Sequence, residues 1–332
     1  MYVLKKVLVL FGGSSSEHYV SCKSAKSVIE NIDQKRYDYQ MVGIDFDHSW
    51  YQFSDDLSYL ENGNWKEANI LKIDNIITYL KNFDIVFPMM HGAYGEDGKL
   101  QGLLEYVGIP FVGCKTLASA IGMDKEMSKL VFQTLQIPQV PYLVSSEDDR
   151  ISSILSKIKF PVIVKPANGG SSIGIEKATN KKELIKAIKE AKQYDSKIII
   201  EKFIHCRELE CAVLEKNGNI ICSNPGEIKS ANEFYDYEAK YVNENSYTVI
   251  PDDLDASTVS TIKEYAIKIF KGLQCQGLSR IDFFYEEETK NIYINEINTL
   301  PGFTTISMYP KLIESEGISY KELITTLIEN AK

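Results

Sequence analysis

The stretch from Leu278 to Asn298, LSRIDFFYEEETKNIYINEIN, reads as two strand arms around a polar turn near Glu286 to Asn291. Strand side chains alternate between faces, so Arg280, Asp282 and Phe284 share one face of the first arm. By the same count Ile292, Ile294, Glu296 and Asn298 share one face of the second. Antiparallel pairing brings Asp282 level with Glu296 at the open end and leaves Phe284 beside Ile292 and Ile294. The shared face then runs from apolar to acidic, with two carboxylates and an amide oxygen over an apolar floor. Hard oxygen donors of this kind suit magnesium, which takes one or two protein carboxylates and shares substrate phosphates. The plain alternative is a half-exposed strand pair with a surface Arg–Asp contact.

At 332 residues the chain exceeds one ordinary core, and two or three domains are expected. A net charge of −9 and a pI near 5.2 offer no basis for general nucleic-acid binding, although a local basic pocket can still hold phosphates. No apolar run approaches the roughly 20 residues that span a bilayer, and MYVLKKVLVLFGG lacks a signal-type cleavage region. Cysteines 22, 114, 206, 211, 222 and 275 show no C-x-x-C spacing, so scattered reduced thiols are expected rather than disulfides or zinc. A cytoplasmic protein without membrane or nucleic-acid partners follows.

Along the chain, the apolar run Val7 to Phe11 meets GGSSSE, and Val20, Ala25, Val28 and Ile29 then recur at helical spacing. Apolar runs at Tyr39 to Ile44 and Asp84 to Met90, with a helix over Gly98 to Tyr106, continue the alternation expected of a parallel sheet. A dinucleotide fingerprint is not met, because G-x-G-x-x-G is absent. One helix is expected over Leu117 to Leu135. Strands at Pro141 to Val144, Pro161 to Pro166 and Lys197 to Phe203 bracket a charged helix near Lys181 to Tyr194. After Glu208 come a hairpin signalled by Asn217-Gly218, a loop rich in aromatics and charge, a helix near Leu254 to Leu273, the acidic hairpin, and a last helix near Ile318.

Lys165 ends the strand PVIVK, and GGSSIG follows at 169 to 174. Glycines let backbone N–H groups approach phosphate oxygens, and Ser171 and Ser172 add hydroxyls. The spacing is not that of a Walker loop, and a Gly/Ser turn between strands is the alternative. Glu201 and Lys202 end IIIEKF, with Glu208 beyond.

Together Lys125 in GMDKEMSK, Lys165 with GGSSIG, Glu201-Lys202, and RID paired with NEIN resemble the ATP-grasp ligases. More narrowly, FGGSSSEHYVS at 11 to 21, HGAYGEDGKLQG at 91 to 102, FYDYEAKY at 234 to 241 and NTLPGFTTISMYP at 298 to 310 resemble the D-alanine–D-alanine ligase family. These motifs span nearly the whole chain in order. The resemblance implies a mixed α/β and α+β fold of three domains: an N-terminal Rossmann-like parallel-sheet domain over 1–116, a central ATP-grasp domain over 117–208, and a C-terminal ATP-grasp domain over 209–332.

It also implies roles. Lys125, Lys165 and Ser172 would contact ATP phosphates, Glu201, Lys202 and Ile204 the adenine, and Glu208 the ribose. Asp282, Glu296 and Asn298 would hold two magnesium ions, with manganese as an alternative. Glu17 would pair with the ammonium of the first D-alanine, Arg280 and His91 would meet its carboxylate, and Gly302 would offer a backbone N–H to the oxyanion. Ser307 and Lys240 would bind the second D-alanine, with Met308 at its subsite. Tyr241 would close the 231 to 247 loop, linked through Ser171 to Glu17. Read without the family, Glu17 is a helix N-terminal acid, His91 a satisfied structural side chain and Ser307 a cap. The implied reaction makes D-alanyl-D-alanine through an acyl phosphate, in a homodimer serving peptidoglycan synthesis. YEAKY disfavours D-lactate as acceptor, and Met308 offers a D-serine hydroxyl no partner. The rival readings are a D-alanine–D-serine ligase, a ligase for another acid, and a nucleotide-binding regulatory protein.

Overall fold

The computed structural model describes residues 4–145, 151–171, 173–229 and 247–332. The first sheet contains β1 (Lys5–Gly12), β2 (Tyr37–Ile44), β3 (Trp50–Phe53), β4 (Ile70–Lys72) and β5 (Ile85–Pro88), in the order β4-β3-β2-β1-β5. The run Val7 to Phe11 is buried on both faces because β1 lies between two parallel neighbours and helices cover the sheet. The helix His18–Asn31 buries Cys22, Ala25, Val28 and Ile29. The expected parallel sheet holds only for β2, β1 and β5, since β3 and β4 add antiparallel. The connection Asp45 to Ser49 is too short for the crossover that a parallel pair needs.

The second sheet comprises β6 (Tyr142–Ser145), β7 (Val162–Pro166), β8 (Glu176–Ala178) and β9 (Ile198–Lys202), ordered β6-β9-β7-β8 and antiparallel. The helix Lys181–Ala191 packs Leu184, Ala187, Ile188 and Ala191 against it. Where one helix was expected over 117 to 135, the structure has two, Thr116–Met123 and Lys125–Thr134. Asp124 divides them. Its backbone is extended and its carboxylate accepts from the Glu126 and Met127 amides, so the side chain caps a new helix instead of continuing the old one.

The third sheet contains β10 (Arg207–Lys216), β11 (Asn219–Cys222), β12 (Gly226–Lys229), β13 (Tyr247–Val249), β14 (Leu278–Glu286) and β15 (Asn291–Asn298). Its order is β13-β12-β10-β14-β15, with β11 paired to the outer half of β10 across the Asn217-Gly218 turn. Both turn residues have positive φ, 52° and 76°, as a two-residue hairpin demands. Leu209, Cys211 and Val213 of β10 face the helix Ala256–Gly272. Ala212 and Leu214 face the other way, into a core shared with Val7, Val9 and Phe11 and with the helices Met308–Ser315 and Tyr320–Glu329. The first and third sheets therefore meet in one continuous core, and the second sheet has its own.

Candidate active site

In the acidic hairpin Arg280 lies opposite Asn298 and Asp282 opposite Glu296, the expected register. Beyond that pair the register shifts: Phe283 pairs with Ile294, which leaves Asn295 as an extra residue. A bulge reverses the alternation on its far side. Ile292 and Ile294 consequently join Phe283 and Tyr285 in the core under the helix Ala256–Gly272. They do not form the floor expected beside the carboxylates. That place is taken by Phe284, with Asn295 and Glu296 beside it on the cavity wall.

Arg280 donates from Nε and Nη2 to the two oxygens of Asp282 at 2.8 and 2.7 Å, and its Nε lies 3.2 Å from Glu210 on β10. The Asn298 amide also donates to Asp282, at 3.0 Å. Burial opposes the guanidinium charge, but Asp282 and Glu210 outweigh it and hold Arg280 charged well beyond its usual range. Such a cation is fixed in place, which suits the binding of a carboxylate or an oxyanion. Among the described residues no three His, Cys, Asp or Glu side chains form a ready metal cage. Asp282, Glu296 and the Asn298 amide oxygen are hard donors on paired strands, an incomplete set that fits a divalent cation finished by phosphate oxygens.

The nucleotide residues expected from sequence converge. Lys125, Lys165, Glu201, Lys202, Ile204 and Glu208 line one cavity together with Ser171, Phe284 and Glu296. Its walls are the second sheet, the start of β10 and the acidic hairpin. Backbone bonds fasten them: the Ile294 amide donates to the Pro138 carbonyl and the Lys125 amide to the Ala167 carbonyl, both at 2.9 Å. Lys125, first residue of its helix because Asp124 caps it, donates to the Gly169 carbonyl at 2.8 Å and lies 3.5 Å from Glu296. Lys165 lies 2.7 Å from Glu201 and 3.5 Å from Asn295. Glu201 also meets Lys129, at 2.6 Å. Burial pushes the Glu201 carboxyl up, yet Lys165 and Lys129 together bring it down to about 2. The Glu201 side chain, expected at the adenine, is thus held between two ammonium groups.

The N-terminal sheet supplies one corner. Gly12 and Gly92 both take positive φ, and a Cβ on Gly92 would stand 2.7 Å from Glu17 Oε2. Glu17 also approaches the Gly169–Ser171 loop, where a Cβ on Gly170 would stand 3.0 Å from the same oxygen. It occupies the N-cap position of the helix His18–Asn31 but makes no capping bond, so the carboxylate is turned toward these loops. Glu96 shares the corner: burial first, and the Glu17 charge next, push its carboxyl well above the usual range. His91 Nδ1 is 3.1 Å from the Leu300 carbonyl and Nε2 is 2.9 Å from Ser24 Oγ. Nδ1 thus ties the first sheet to the loop after β15, and Nε2 holds the helix His18–Asn31.

In that loop Ser307 precedes the helix Met308–Ser315 without capping it. Its Oγ accepts from the Thr304 amide at 3.0 Å and sits where a Gly302 Cβ would come within 2.9 Å. Met308, expected at the second subsite, is buried in the shared core, with its sulfur against Gly226. Ser307, half-buried with an extended backbone, stays at this loop, and the side chain of Met308, where the helix begins, turns inward. Ser172, Lys240 and Tyr241, with the rest of the 231 to 246 loop, lie outside the described residues. Sequence reading missed Lys129, Glu210 and Glu96. Lys129 stands one helical turn after Lys125, and Glu210 two residues after Glu208 on one strand face, so periodicity carried a signal for both.

Residues 6–114 match the D-ala D-ala ligase N-terminus, and residues 131–329 match the D-ala D-ala ligase C-terminus. The chain belongs to the D-alanine–D-alanine ligase family. It is 46% identical to the D-alanine–D-alanine ligase of Acetivibrio thermocellus, over 98% of this chain and 96% of that one. It is 45% identical to that of Clostridium novyi, over 98% of each. Among solved structures it resembles the VanG D-Ala:D-Ser ligase of Enterococcus faecalis with TM-score 0.89 and 35% identity, covering 98% of this chain and 99% of that one. The D-alanine–D-alanine ligase of Coxiella burnetii gives TM-score 0.87 and 34% identity, over 98% and 93%. The three-unit ATP-grasp fold expected from sequence is that of these D-alanine–D-alanine ligases. The family uses ATP, with a divalent metal, to form a carbon–nitrogen bond. Among the described residues no helix is long and apolar enough to cross a membrane.

Proposed function

We infer that this chain is an ATP-dependent ligase that joins two D-alanines into D-alanyl-D-alanine for peptidoglycan precursors. The observation that carries the reading is the meeting of Lys125, Lys165 and the acidic hairpin at one cavity, with Arg280 fixed beside it. A carboxylate is a poor electrophile because oxide is a poor leaving group. The first D-alanine carboxylate therefore attacks the γ-phosphorus, ADP departs, and an acyl phosphate forms. The amine of the second D-alanine attacks the acyl carbon, phosphate departs and a proton is lost.

The protein's work is placement and charge. Lys125, Lys165 and Ser172 hold the phosphates, and Lys202, Ile204 and Glu208 hold the adenosine. Asp282, Glu296 and Asn298 hold two magnesium ions, or manganese, and such ions neutralise charge on the transferred phosphoryl group. Glu17 orients the first ammonium, Arg280 steadies the carboxylate and then the oxyanion, and the Gly302 amide adds a donor. Ser307 and Lys240 receive the second carboxylate, while Tyr241, reached through Ser171, keeps water from the acyl phosphate. His91 braces the loop that carries Gly302, its ring nitrogens facing Ser24 and Leu300. Domains of 1–116, 117–208 and 209–332, a homodimer and a cytoplasmic location complete the reading.

The likeness to a D-Ala:D-Ser ligase favours D-serine as the second reading for the acceptor. The test is incubation with ATP, magnesium and D-alanine, with and without equimolar D-serine, and identification of products by mass spectrometry. D-alanyl-D-alanine should dominate in both. A dominant mixed dipeptide would transfer the assignment to D-serine, and absence of any dipeptide would overturn the ligase reading.

A further inference from the structure

Glu201 is a carboxylate held between two cations. Its Oε1 lies 2.6 Å from Lys129 Nζ and its Oε2 lies 2.7 Å from Lys165 Nζ. The side chains of Lys129, Lys165 and Glu201 are exposed by only 1, 6 and 6%, so solvent screens these charges little. The two lysines are not equivalent. Lys165 is on the wall of the nucleotide cavity, whereas Lys129 lies behind Glu201, with its ammonium 4.7 Å from the centre of the Tyr142 ring.

A buried carboxylate stripped of its only partner is strongly disfavoured. Were Lys165 the sole counter-ion of Glu201, each phosphate bound would have to draw it from an otherwise bare charge. We propose that Lys129 is a positioning residue for the nucleotide site: it keeps Glu201 compensated, so that Lys165 is released from the carboxylate to the phosphates of ATP. The proposal rests on the reading of Lys165 as a phosphate ligand. It assigns Lys129 a part in phosphate binding although the side chain stands outside the cavity. The carboxyl of Glu201, brought down to about 2, accords with a charge held by both lysines together.

The test compares the wild-type protein with Lys129→Met, Lys129→Arg, Glu201→Gln, Lys165→Met and the double variant Lys129→Met with Glu201→Gln. For each, calorimetry gives the affinities for ATP with magnesium and for adenosine, and their ratio isolates the phosphate contribution from folding and from the adenine pocket. Lys129→Met should lower the ratio about tenfold, within the ordinary range of coupling between sites. Lys129→Arg should keep it. The double variant should recover it, because no buried carboxylate remains to retain Lys165. A purely structural Lys129 predicts the reverse, a double variant no better than the single one. An unchanged ratio in Lys129→Met, or a double variant without recovery, overturns the proposal. Should Lys129→Met not fold, Glu201→Gln alone decides: its ratio should hold or rise, and a fall overturns the proposal. An unchanged ratio in Lys165→Met would overturn the phosphate role of Lys165 and the inference with it, which separates that failure from the others.

Discussion

His18 is tied to a single protonation state by its neighbours. Trp65 Nε1 can only donate, and it lies 3.0 Å from His18 Nε2, so Nε2 accepts and Nδ1 carries the proton toward the Gly13 carbonyl at 2.6 Å. Burial lowers the pKa below 6.5, while the Gly13 carbonyl and Asp45 pull the other way. The folded protein thus binds fewer protons than the unfolded chain once pH falls below 6.5, so this contribution is intact above 6.5 and declines beneath it. Melting temperature should fall as pH drops from 7 to 5, and His18→Asn should flatten that slope. An equal slope in the variant would refute the assignment. Glu296→Gln should leave the fold intact and weaken metal use by on the order of tenfold or more, the scale found when groups at metal sites are altered. Titrating turnover against magnesium checks it, and undiminished activity at limiting metal would count against Glu296 as a ligand. The chemistry-bearing types at 125, 165, 282 and 296 were legible because motifs fix them. The burial of Lys129 and Glu210 was not, since spacing places them on a face but a lysine on a helix or a glutamate on a strand is usually solvated, and only tertiary packing buries them.

At the scale of elements, the bulge at Asn295 decides which acids reach the cavity. A reading by strict alternation placed Asp282 against Glu296 correctly, because those residues lie on the open side of the bulge. It misplaced Ile292 and Ile294, because neither glycine nor proline marks the extra residue. Deleting Asn295 should straighten β15. With Ile292 and Ile294 anchored in the core, Glu296 would then directly follow Ile294, keeping its place on the cavity face opposite Asp282 while Ile297 stays in the core. Metal ligation should persist, with loss of the Asn295 contact to Lys165 and a stability change of no more than about 1–3 kcal/mol, the usual scale of a single change. Urea unfolding and turnover check this, with Asn295→Ala as a control that keeps the bulge and most of the stability. Loss of metal use on deletion would show that the bulge itself, and not only the facing of Glu296, shapes the site. The divided helix at Asp124 teaches the same lesson, since apolar spacing ran through 117 to 135 while one capping carboxylate broke it.

For the whole molecule, the decisive fact is that the first and third sheets share a core and the second does not. A last helix is expected near Ile318, and the structure has it at Tyr320–Glu329, but nothing local names the distant strand that covers it. Leu327, almost wholly buried in the shared core, tests the point. Leu327→Ala should cost about 2–5 kcal/mol, and hydrogen exchange should show β1 and the helices after Ser307 losing protection together while β7 and β9 keep theirs. Loss confined to the C-terminal helices would mean that the two sheets open independently. The ion pair of Lys5 with Glu329, at 3.0 Å, lies on the outer edge of this same core. The two ends of the described chain are therefore next to each other in space although 324 residues apart in sequence. A short flexible linker should join them, and new ends cut into the Asn217-Gly218 turn should then yield a circular permutant that folds and keeps its ligase centre, a rearrangement of chain order that the architecture already permits.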